Sequence, residues 1–255
     1  MNAGLQQGLV DVATADGAMP TWIFYPLGGG AHPALIFYMD APGMREELRD
    51  MCRRLATAGY YVMLPDLYYR SRSGDIGSFC GDEGGEHMQL ILLLMRSLSI
   101  DMVMADTAAL IACARADSAA AAGPLGCVGY CMSGQYALSA AARFPEDFAA
   151  AASFYGTHLM TDQPDSPHLT AGSTRAELYV GWAGIDPFAP LEQMAAFSAA
   201  LQAAGANALV ELYPDVWHGF AFPERRIYNA AAAERHWSRL LELFARMPSR
   251  CGPRL

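Results

Sequence analysis

The chain has 255 residues, of which 53% are hydrophobic and 17% are charged, and its net charge is −9. This length and composition predict a globular protein with a substantial core, folded as a single domain over residues 1–255. The acidic balance, without clustered basic residues, argues against a nucleic-acid-binding surface. The apolar run at 90–95 is too short to span a membrane.

Cysteine usage and the N-terminus bear on the compartment. The six cysteines, at positions 52, 80, 113, 127, 131 and 251, form no Cys-x-x-Cys pair and no regular framework. This pattern indicates a reducing, intracellular setting. The N-terminus lacks the basic start and apolar core of a signal peptide, so we expect a cytoplasmic protein. No histidine has metal-ligand spacing with a cysteine or carboxylate, so we expect no metal and no cofactor.

Strand-like and helix-like segments alternate along the chain. Two strands flanking Ala15-Asp16-Gly17 predict an antiparallel hairpin. The predicted strands lie at 8–13, 20–25, 34–39, 60–64, 125–129, 149–155, 176–182 and 208–213. The predicted helices lie at 43–58, 86–98, 100–117, from 133 onward, 190–204 and 224–247, with irregular segments at 71–85 and 156–175. This alternation implies an α/β fold, in which helices cover both faces of a mainly parallel sheet.

The segment Leu125–Leu138 has the order strand, tight turn, helix. Its turn, Gly129-Tyr-Cys131-Met-Ser133, fits the small-x-nucleophile-x-small pattern of a nucleophile elbow, with cysteine in place of the usual serine. The helix that follows would favour a thiolate at Cys131. The plain alternative is a buried structural cysteine. A frame with Ser133 as nucleophile fails because Gln135, two positions later, is not small.

A thiol nucleophile needs a base, and the base needs an orienting carboxylate. Asp186 and His218 each come a few residues after a predicted strand, so they are expected at the same sheet edge as Cys131. The order nucleophile, acid, histidine is that of α/β-hydrolases. Asp186, which precedes Pro187, could instead start a turn or cap the next helix. Asp215 is nearer His218 in sequence, but its position suits a turn.

The remaining cysteine and histidine positions favour structural roles. Cys127 lies on the strand before the elbow and is expected to be buried and inert. His236 is expected on the exposed side of the last helix. His32 lies in a loop, and the other histidines occupy irregular or connecting segments, at positions 87, 158 and 168.

These residues give the chain a resemblance to the dienelactone hydrolase family of the α/β-hydrolase superfamily, from about residue 20 to 247. The matching pieces are Gly129-Tyr-Cys131-Met-Ser-Gly134, Leu64-Pro-Asp-Leu-Tyr-Tyr-Arg70, Gly184-Ile-Asp186 and His218-Gly-Phe-Ala221. The resemblance implies an α/β-hydrolase fold and a triad of Cys131 as nucleophile, His218 as base and acid, and Asp186 as orienting group. It also implies an oxyanion hole formed by the backbone N–H groups of Met132 and Ala41.

Two positions depart from the pattern of the family's best-known members. Those members carry a glutamate at the end of the third strand, which controls protonation of the thiol. Asp40 stands here instead, and we expect it to govern the reactivity of Cys131 as part of the catalytic site. They also hold a substrate carboxylate with two arginines, one of them four residues after the histidine. Phe222 occupies that position, so we expect Phe222 and Arg70 as substrate contacts and an ester or lactone more apolar than dienelactone. The remaining nearby arginines are most simply explained as surface residues, at positions 72, 225 and 226.

The sequence therefore predicts a cysteine-dependent hydrolase of carboxylic esters or lactones that works through an acyl-enzyme. Thioesterase or acyltransferase activity at the same site is an alternative, as is a non-catalytic binding protein that keeps the fold. A peptidase is disfavoured, because amides require strong protonation of a poor leaving group. The expected partner is a small-molecule ester or lactone, without nucleic acid or membrane, and the expected assembly is a monomer or small homo-oligomer.

Overall fold

The structure, a computed structural model, describes residues 4–76 and 85–248. The strands within these residues are β1 (Leu5–Thr14), β2 (Gly17–Pro26), β3 (Ala34–Tyr38), β4 (Tyr61–Pro65), β5 (Leu125–Tyr130), β6 (Phe148–Phe154), β7 (Glu177–Ile185) and β8 (Ala208–Trp217). The helices are α1 (Glu46–Thr57), α2 (Glu86–Arg96), α3 (Ile100–Ala116), α4 (Gly134–Arg143), α5 (Pro167–Thr170), α6 (Leu191–Ala203) and α7 (Ala230–Ala245). Short 3-10 turns cover Cys131–Ser133 and Ala171–Ser173.

The strands form one sheet in the order β1-β2-β4-β3-β5-β6-β7-β8. The β1–β2 and β2–β4 pairs are antiparallel, and all the other pairs are parallel. The steps from β3 to β4 and from β4 to β5 run in opposite directions, so right-handed crossovers place α1 and α3 on opposite faces. Ion pairs join the helices that share a face. Arg54 of α1 pairs with Glu234 of α7, and Asp101 of α3 pairs with Arg143 of α4. The predicted α/β sheet is confirmed.

The core sits on both faces of the central strands. Every residue of β3, β4 and β5 is buried, and β3 reads Ala-Leu-Ile-Phe-Tyr without a break. Such continuous apolar runs are typical of parallel strands covered by helices on both sides. Helix α1 buries one stripe, which includes Leu48, Met51, Cys52 and Leu55. That spacing of three and four residues turns one face of the helix towards the sheet.

The ends of β7 and β8 and the start of α7 lie later in the chain than the sequence predicts. β7 continues to Ile185 and β8 to Trp217, with a register irregularity between them. Pro214 suggested an end to β8, but Asp215 adopts φ = 57° and lets the strand resume. The last helix starts at residue 230, where the Asn229 side chain caps it. Residues 77–84 of the predicted loop, with Cys80, lie outside the described residues, as does Cys251.

The apolar run at 90–95 falls within α2. Ile91 and Leu94 are buried, whereas Leu93 is exposed. Among the described residues no single helix has the length and apolar composition of a membrane span, although α2 and α3 taken together do, with a bend of 76° between them.

Candidate active site

Cys131 lies at the tight turn between β5 and α4. Its φ is 55°, in the left-handed region that residues other than glycine rarely adopt. A Cβ on Gly129 would lie 2.0 Å from the backbone oxygen of Ser133, so only glycine fits there. Ser133 is fully buried and its hydroxyl donates to the backbone oxygen of Met39. The turn therefore presents a partly exposed Cys131 and withdraws Ser133 from the surface.

The segment after β6 packs directly on this turn. A Cβ on Gly134, the first residue of α4, would lie 2.5 Å from the Cα of Gly156. The N–H of Thr157 donates to the backbone oxygen of Cys131 over 3.0 Å. Strain at a single residue persists only where its surroundings enforce it. Here β5, α4 and the segment after β6 together enforce the conformation of Cys131.

Asp186 and His218 directly follow β7 and β8, and their side chains meet. Nδ1 of His218 lies 2.7 Å from Oδ2 of Asp186. Oδ1 of Asp186 accepts the N–H groups of Phe188 and Ala189 at 2.9 and 3.0 Å. Asp186 thus organises a turn and holds the histidine at the same time, and the two interpretations of its sequence position are compatible. Asp215 is exposed on the irregular part of β8.

Cys131 and His218 shift each other's pKa. Burial raises the pKa of the Cys131 thiol, but the positive charge of the neighbouring His218 lowers it, and the net pKa lies below the usual value. Burial lowers the pKa of His218, while the Cys131 thiolate and Asp186 raise it, to about 9. Nε2 of His218 has no well-aligned hydrogen bond among the described residues. Loose alignment of this kind is common before substrate binds. The opposite shifts both favour the thiolate–imidazolium pair over the neutral pair.

Asp40, just past the end of β3, is fully buried beside this pair. Arg45 donates to its two carboxylate oxygens at 2.5 and 3.2 Å, and Arg225 donates to Oδ2 at 2.6 Å. Glu47 in turn accepts from Arg45 at 2.8 Å. Burial and His218 have the largest effects on the pKa of Cys131. The next largest come from Asp40, which raises this pKa, and Arg225, which lowers it. The Asp40 carboxylate therefore lies close enough to act on the thiol.

Arg225 is the site residue that sequence reasoning missed, since its interpretation as a surface arginine is wrong. Its side chain is 12% exposed and reaches Asp40. Gly219 makes room for it: a Cβ at that position would lie 2.6 Å from Nη1 of Arg225. The glycine directly after His218 was the available signal in the sequence.

Two expected substrate contacts are placed elsewhere. Phe222 is fully buried, and the guanidinium groups of Arg45 and Arg225 each lie 4.9 Å from its ring centroid. Its ring stabilises the two arginines and offers no surface to a substrate. Arg70 pairs with Asp16 and with the buried Asp106, in the β1–β2 turn and in α3. These placements argue against both residues as substrate contacts.

Ala41 and Met132, whose N–H groups were expected to form an oxyanion hole, are both buried. The hydroxyl of Tyr68 donates to the backbone oxygen of Ala41 at 2.8 Å and lies 3.4 Å from Sδ of Met132. Tyr68 thus brings the two residues together. It falls within the matching Leu64–Arg70 piece, but the sequence alone gave it no role.

Aromatic rings surround the histidine. The ring of Tyr155 meets His218 edge to face at 5.1 Å, and the exposed ring of Phe188 does so at 5.0 Å. The hydroxyl of Tyr155 is buried and has no hydrogen-bond partner among the described residues. A second histidine, His236 of α7, lies deeper in the core, where its Nε2 is 2.7 Å from the hydroxyl of Tyr130. His236 is fully buried, so the expectation of an exposed histidine on the last helix is wrong. Across residues 4–76 and 85–248, no cluster of three or more His, Cys, Asp or Glu side chains could hold a metal ion.

Comparison with known proteins identifies the family of this chain. A profile of the dienelactone hydrolase family matches residues 19–247. A relative from Methylorubrum extorquens, provisionally named carboxymethylenebutenolidase, is 29% identical over 94% of this chain and 81% of its own length. A relative of the same provisional name from Escherichia coli is 30% identical over 93% of this chain and 86% of its own length.

The fold agrees with the sequence match. A crystal structure from Klebsiella pneumoniae, provisionally described as a dienelactone hydrolase, has a TM-score of 0.85 at 27% identity and covers 95% of this chain and 99% of its own. Its similarity spans nearly the whole of both chains. The chain therefore belongs to the dienelactone hydrolase family of the α/β-hydrolase superfamily, and it is a hydrolase that acts on lactone or ester bonds.

Proposed function

We propose that this protein hydrolyses carboxylic esters or lactones with Cys131 as nucleophile, His218 as general base and acid, and Asp186 as the group that orients the histidine. The observation that carries the proposal is the coupling of these three side chains. Asp186 binds Nδ1 of His218, and His218 and Cys131 shift each other's pKa in opposite directions. This combination activates a thiol and supplies a proton to a leaving group.

In the proposed first step, the Cys131 thiolate attacks the carbonyl carbon, and the carbonyl oxygen takes up the negative charge. The N–H groups of Met132 and Ala41 stabilise that oxyanion. The carbon–oxygen bond to the alcohol then breaks, and the imidazolium of His218 gives its proton to the departing oxygen. With a lactone, the alcohol stays attached to the acyl group.

In the second step, His218 takes a proton from water, and the resulting hydroxide attacks the thioester carbonyl. The carbon–sulfur bond breaks, the thiolate re-forms, and a carboxylic acid is released. Asp186 stabilises the positive charge on His218 in both steps. The exposed ring of Phe188 beside His218 supports a substrate with an apolar group near the reacting carbonyl.

The names of the relatives and the free cysteines support the wider setting of this proposal. The two relatives named carboxymethylenebutenolidase support a lactone as one substrate. The described free cysteines include Cys52, Cys113 and Cys127, which fits work in the cytoplasm. We propose a monomer or small homo-oligomer there.

Turnover of p-nitrophenyl acetate and of a panel of small lactones tests the proposal. Cys131→Ala removes the nucleophile and is expected to abolish turnover, whereas Cys113→Ala, a control on the partly exposed face of α3, retains it. Mass spectrometry of wild type mixed rapidly with the ester is expected to locate the acetyl group on Cys131. Full activity of Cys131→Ala would refute the mechanism. Transfer of the acyl group to an added thiol or alcohol in preference to water would indicate an acyltransferase instead.

A further inference from the structure

The three backbone carbonyls at the end of β3 are each fixed by a hydrogen bond from a different part of the chain. The Ser133 hydroxyl donates to the carbonyl of Met39. The Gly43 N–H donates to the carbonyl of Asp40 at 2.9 Å, and the Tyr68 hydroxyl donates to the carbonyl of Ala41 at 2.8 Å. These bonds hold three successive peptide groups at the edge of the site. The middle one contains the Ala41 N–H that the mechanism uses.

The geometry of a peptide group makes this arrangement consequential. The Asp40 carbonyl and the Ala41 N–H belong to one planar trans unit and point in opposite directions. Fixing the carbonyl of Asp40 therefore fixes the direction of the Ala41 N–H. The Tyr68 bond to the carbonyl of Ala41 fixes the next peptide and so limits rotation about Ala41. Donors that are already aimed need no reorganisation when charge develops on the substrate oxygen.

Tyr68 also reaches the second proposed donor. Its hydroxyl lies 3.4 Å from Sδ of Met132, so one side chain contacts both Ala41 and Met132. Burial raises the pKa of Tyr68, and the charge of Asp40 raises it further, so the hydroxyl stays protonated and remains a donor. Gly43 admits the ring, because a Cβ there would lie 3.3 Å from it. The tyrosine is held by its own N–H, which donates to Asp66 at 3.1 Å.

We propose that Tyr68 is a positioning residue of the oxyanion hole: its hydroxyl ties the Ala41 backbone to the Met132 side chain and keeps the two N–H donors at a fixed separation. The inference rests on the proposed function, since it assumes that these two N–H groups stabilise the oxyanion. Tyr68 does not touch the reacting atoms and acts through Ala41 and Met132.

Tyr68→Phe tests this role, because it removes the hydroxyl and keeps the ring. Its matched control is Tyr69→Phe, which removes a neighbouring hydroxyl that bonds to Thr14 and Asp106 at 2.7 and 3.0 Å. With p-nitrophenyl acetate, Tyr68→Phe is expected to lower kcat about tenfold to hundredfold, less than loss of a donor itself, while KM changes by less than about twofold. Tyr69→Phe is expected to keep both constants near those of wild type.

Alkylation by iodoacetamide separates positioning from general damage. Alkylation displaces iodide from a saturated carbon and develops no oxyanion, so its rate and pH profile are expected to be unchanged in Tyr68→Phe. A parallel fall in alkylation and turnover would overturn the inference, because it would locate the defect at the thiol. Equal kcat in Tyr68→Phe and Tyr69→Phe would also overturn it.

A second variant and the nucleophile variant complete the design. Met132→Leu removes the sulfur that the Tyr68 hydroxyl contacts and keeps an apolar side chain, so it is expected to give a selective loss of kcat in the same direction, which keeps the test available if Tyr68→Phe does not fold. Normal kcat in a folded Met132→Leu would then count against the inference. Turnover that survives in Cys131→Ala refutes the proposed function. Turnover that needs Cys131 but not the Tyr68 hydroxyl refutes only the role of Tyr68.

Discussion

Nη2 of Arg225 lies 2.6 Å from Oδ2 of Asp40, although 185 positions separate the two residues in the chain. The pair places opposite charges beside Cys131. Their effects on the pKa of the thiol are smaller than those of burial and His218: Asp40 raises this pKa and Arg225 lowers it. Arg45 holds the same carboxylate from another side. We therefore expect the reactivity of the Cys131 thiol to depend on these buried charges as well as on the histidine.

Asp40→Asn is expected to lower the pKa of Cys131 further, because it removes a negative charge that disfavours the thiolate. The midpoint of the iodoacetamide alkylation rate against pH is expected to move to lower pH, with tryptic mapping to confirm reaction at Cys131. Turnover is expected to fall, since the variant leaves Arg45 and Arg225 without their shared charge partner. Asp50→Asn, on an exposed carboxylate that pairs with Arg53, is the control. An unchanged midpoint in Asp40→Asn would count against a role for Asp40 in setting thiol reactivity.

His218→Gln is expected to shift the same alkylation midpoint upward. The positive charge of the imidazolium lowers the pKa of Cys131 against the effect of burial, and glutamine supplies no positive charge. Ester turnover is expected to be lost together with the base. A midpoint at or below that of wild type would show that His218 does not stabilise the thiolate.

Asp186→Asn is expected to reduce kcat by about 10²–10⁴-fold, because the histidine loses the carboxylate that orients it and stabilises its charge. The amide oxygen can still accept the N–H groups of Phe188 and Ala189, so the turn is expected to persist. Circular dichroism and thermal unfolding check that the fold is kept. Wild-type kcat in the folded variant would exclude Asp186 from the triad.

Gly129→Ala is expected to prevent native folding or to destabilise it severely, because the added Cβ would lie 2.0 Å from a backbone oxygen that cannot move independently. Gly8→Ala, in β1, is the matched control, since no heavy atom lies within 4 Å of the Cβ position there. Urea unfolding followed by circular dichroism measures both. Equal stability of the two variants would mean that the turn at Cys131 is more open than described.

The buried His236 predicts a loss of stability in acid. Burial lowers its pKa to about 3, whereas a histidine in the unfolded chain titrates near about 6.5. Between these values the unfolded state binds the extra proton, so His236 reduces the free energy of unfolding by up to about 1.4 kcal/mol for each pH unit of acidification. His236→Gln is expected to flatten this dependence in urea unfolding measured from pH 7 to pH 4. An identical slope in both proteins would argue against a neutral, buried histidine.

Local sterics explain why the turn at Cys131 could be predicted from sequence. The requirement for small residues at positions 129 and 133 acts within five residues, and the structure shows that geometry directly. The alternation of strands and helices likewise reflects local periodicity. Asp186 and His218 could be placed because both follow strands that end at one sheet edge.

Long-range packing explains what the sequence did not reveal. Arg225 reaches the site because Gly219 leaves space for it and the Phe222 ring lies 4.9 Å from its guanidinium group. The burial of His236 depends on contacts with β5 and β6, through Tyr130 and Phe154. Neither arrangement has a periodic signature in the chain. The longer β8 was missed because a proline normally ends a strand, whereas here an irregular step at Asp215 lets it continue.

The carbonyls of Met39 and Ala41 receive hydrogen bonds from side chains 94 and 27 positions away in sequence. Contacts of such separation form late when a chain folds, because closing long loops costs entropy before the contacts compensate for it. A folding intermediate with its helices and its β1–β2 hairpin would thus carry the thiol without the aimed N–H groups. Recovery of ester turnover during refolding would then report the final docking of these segments, and would lag behind the recovery of secondary structure.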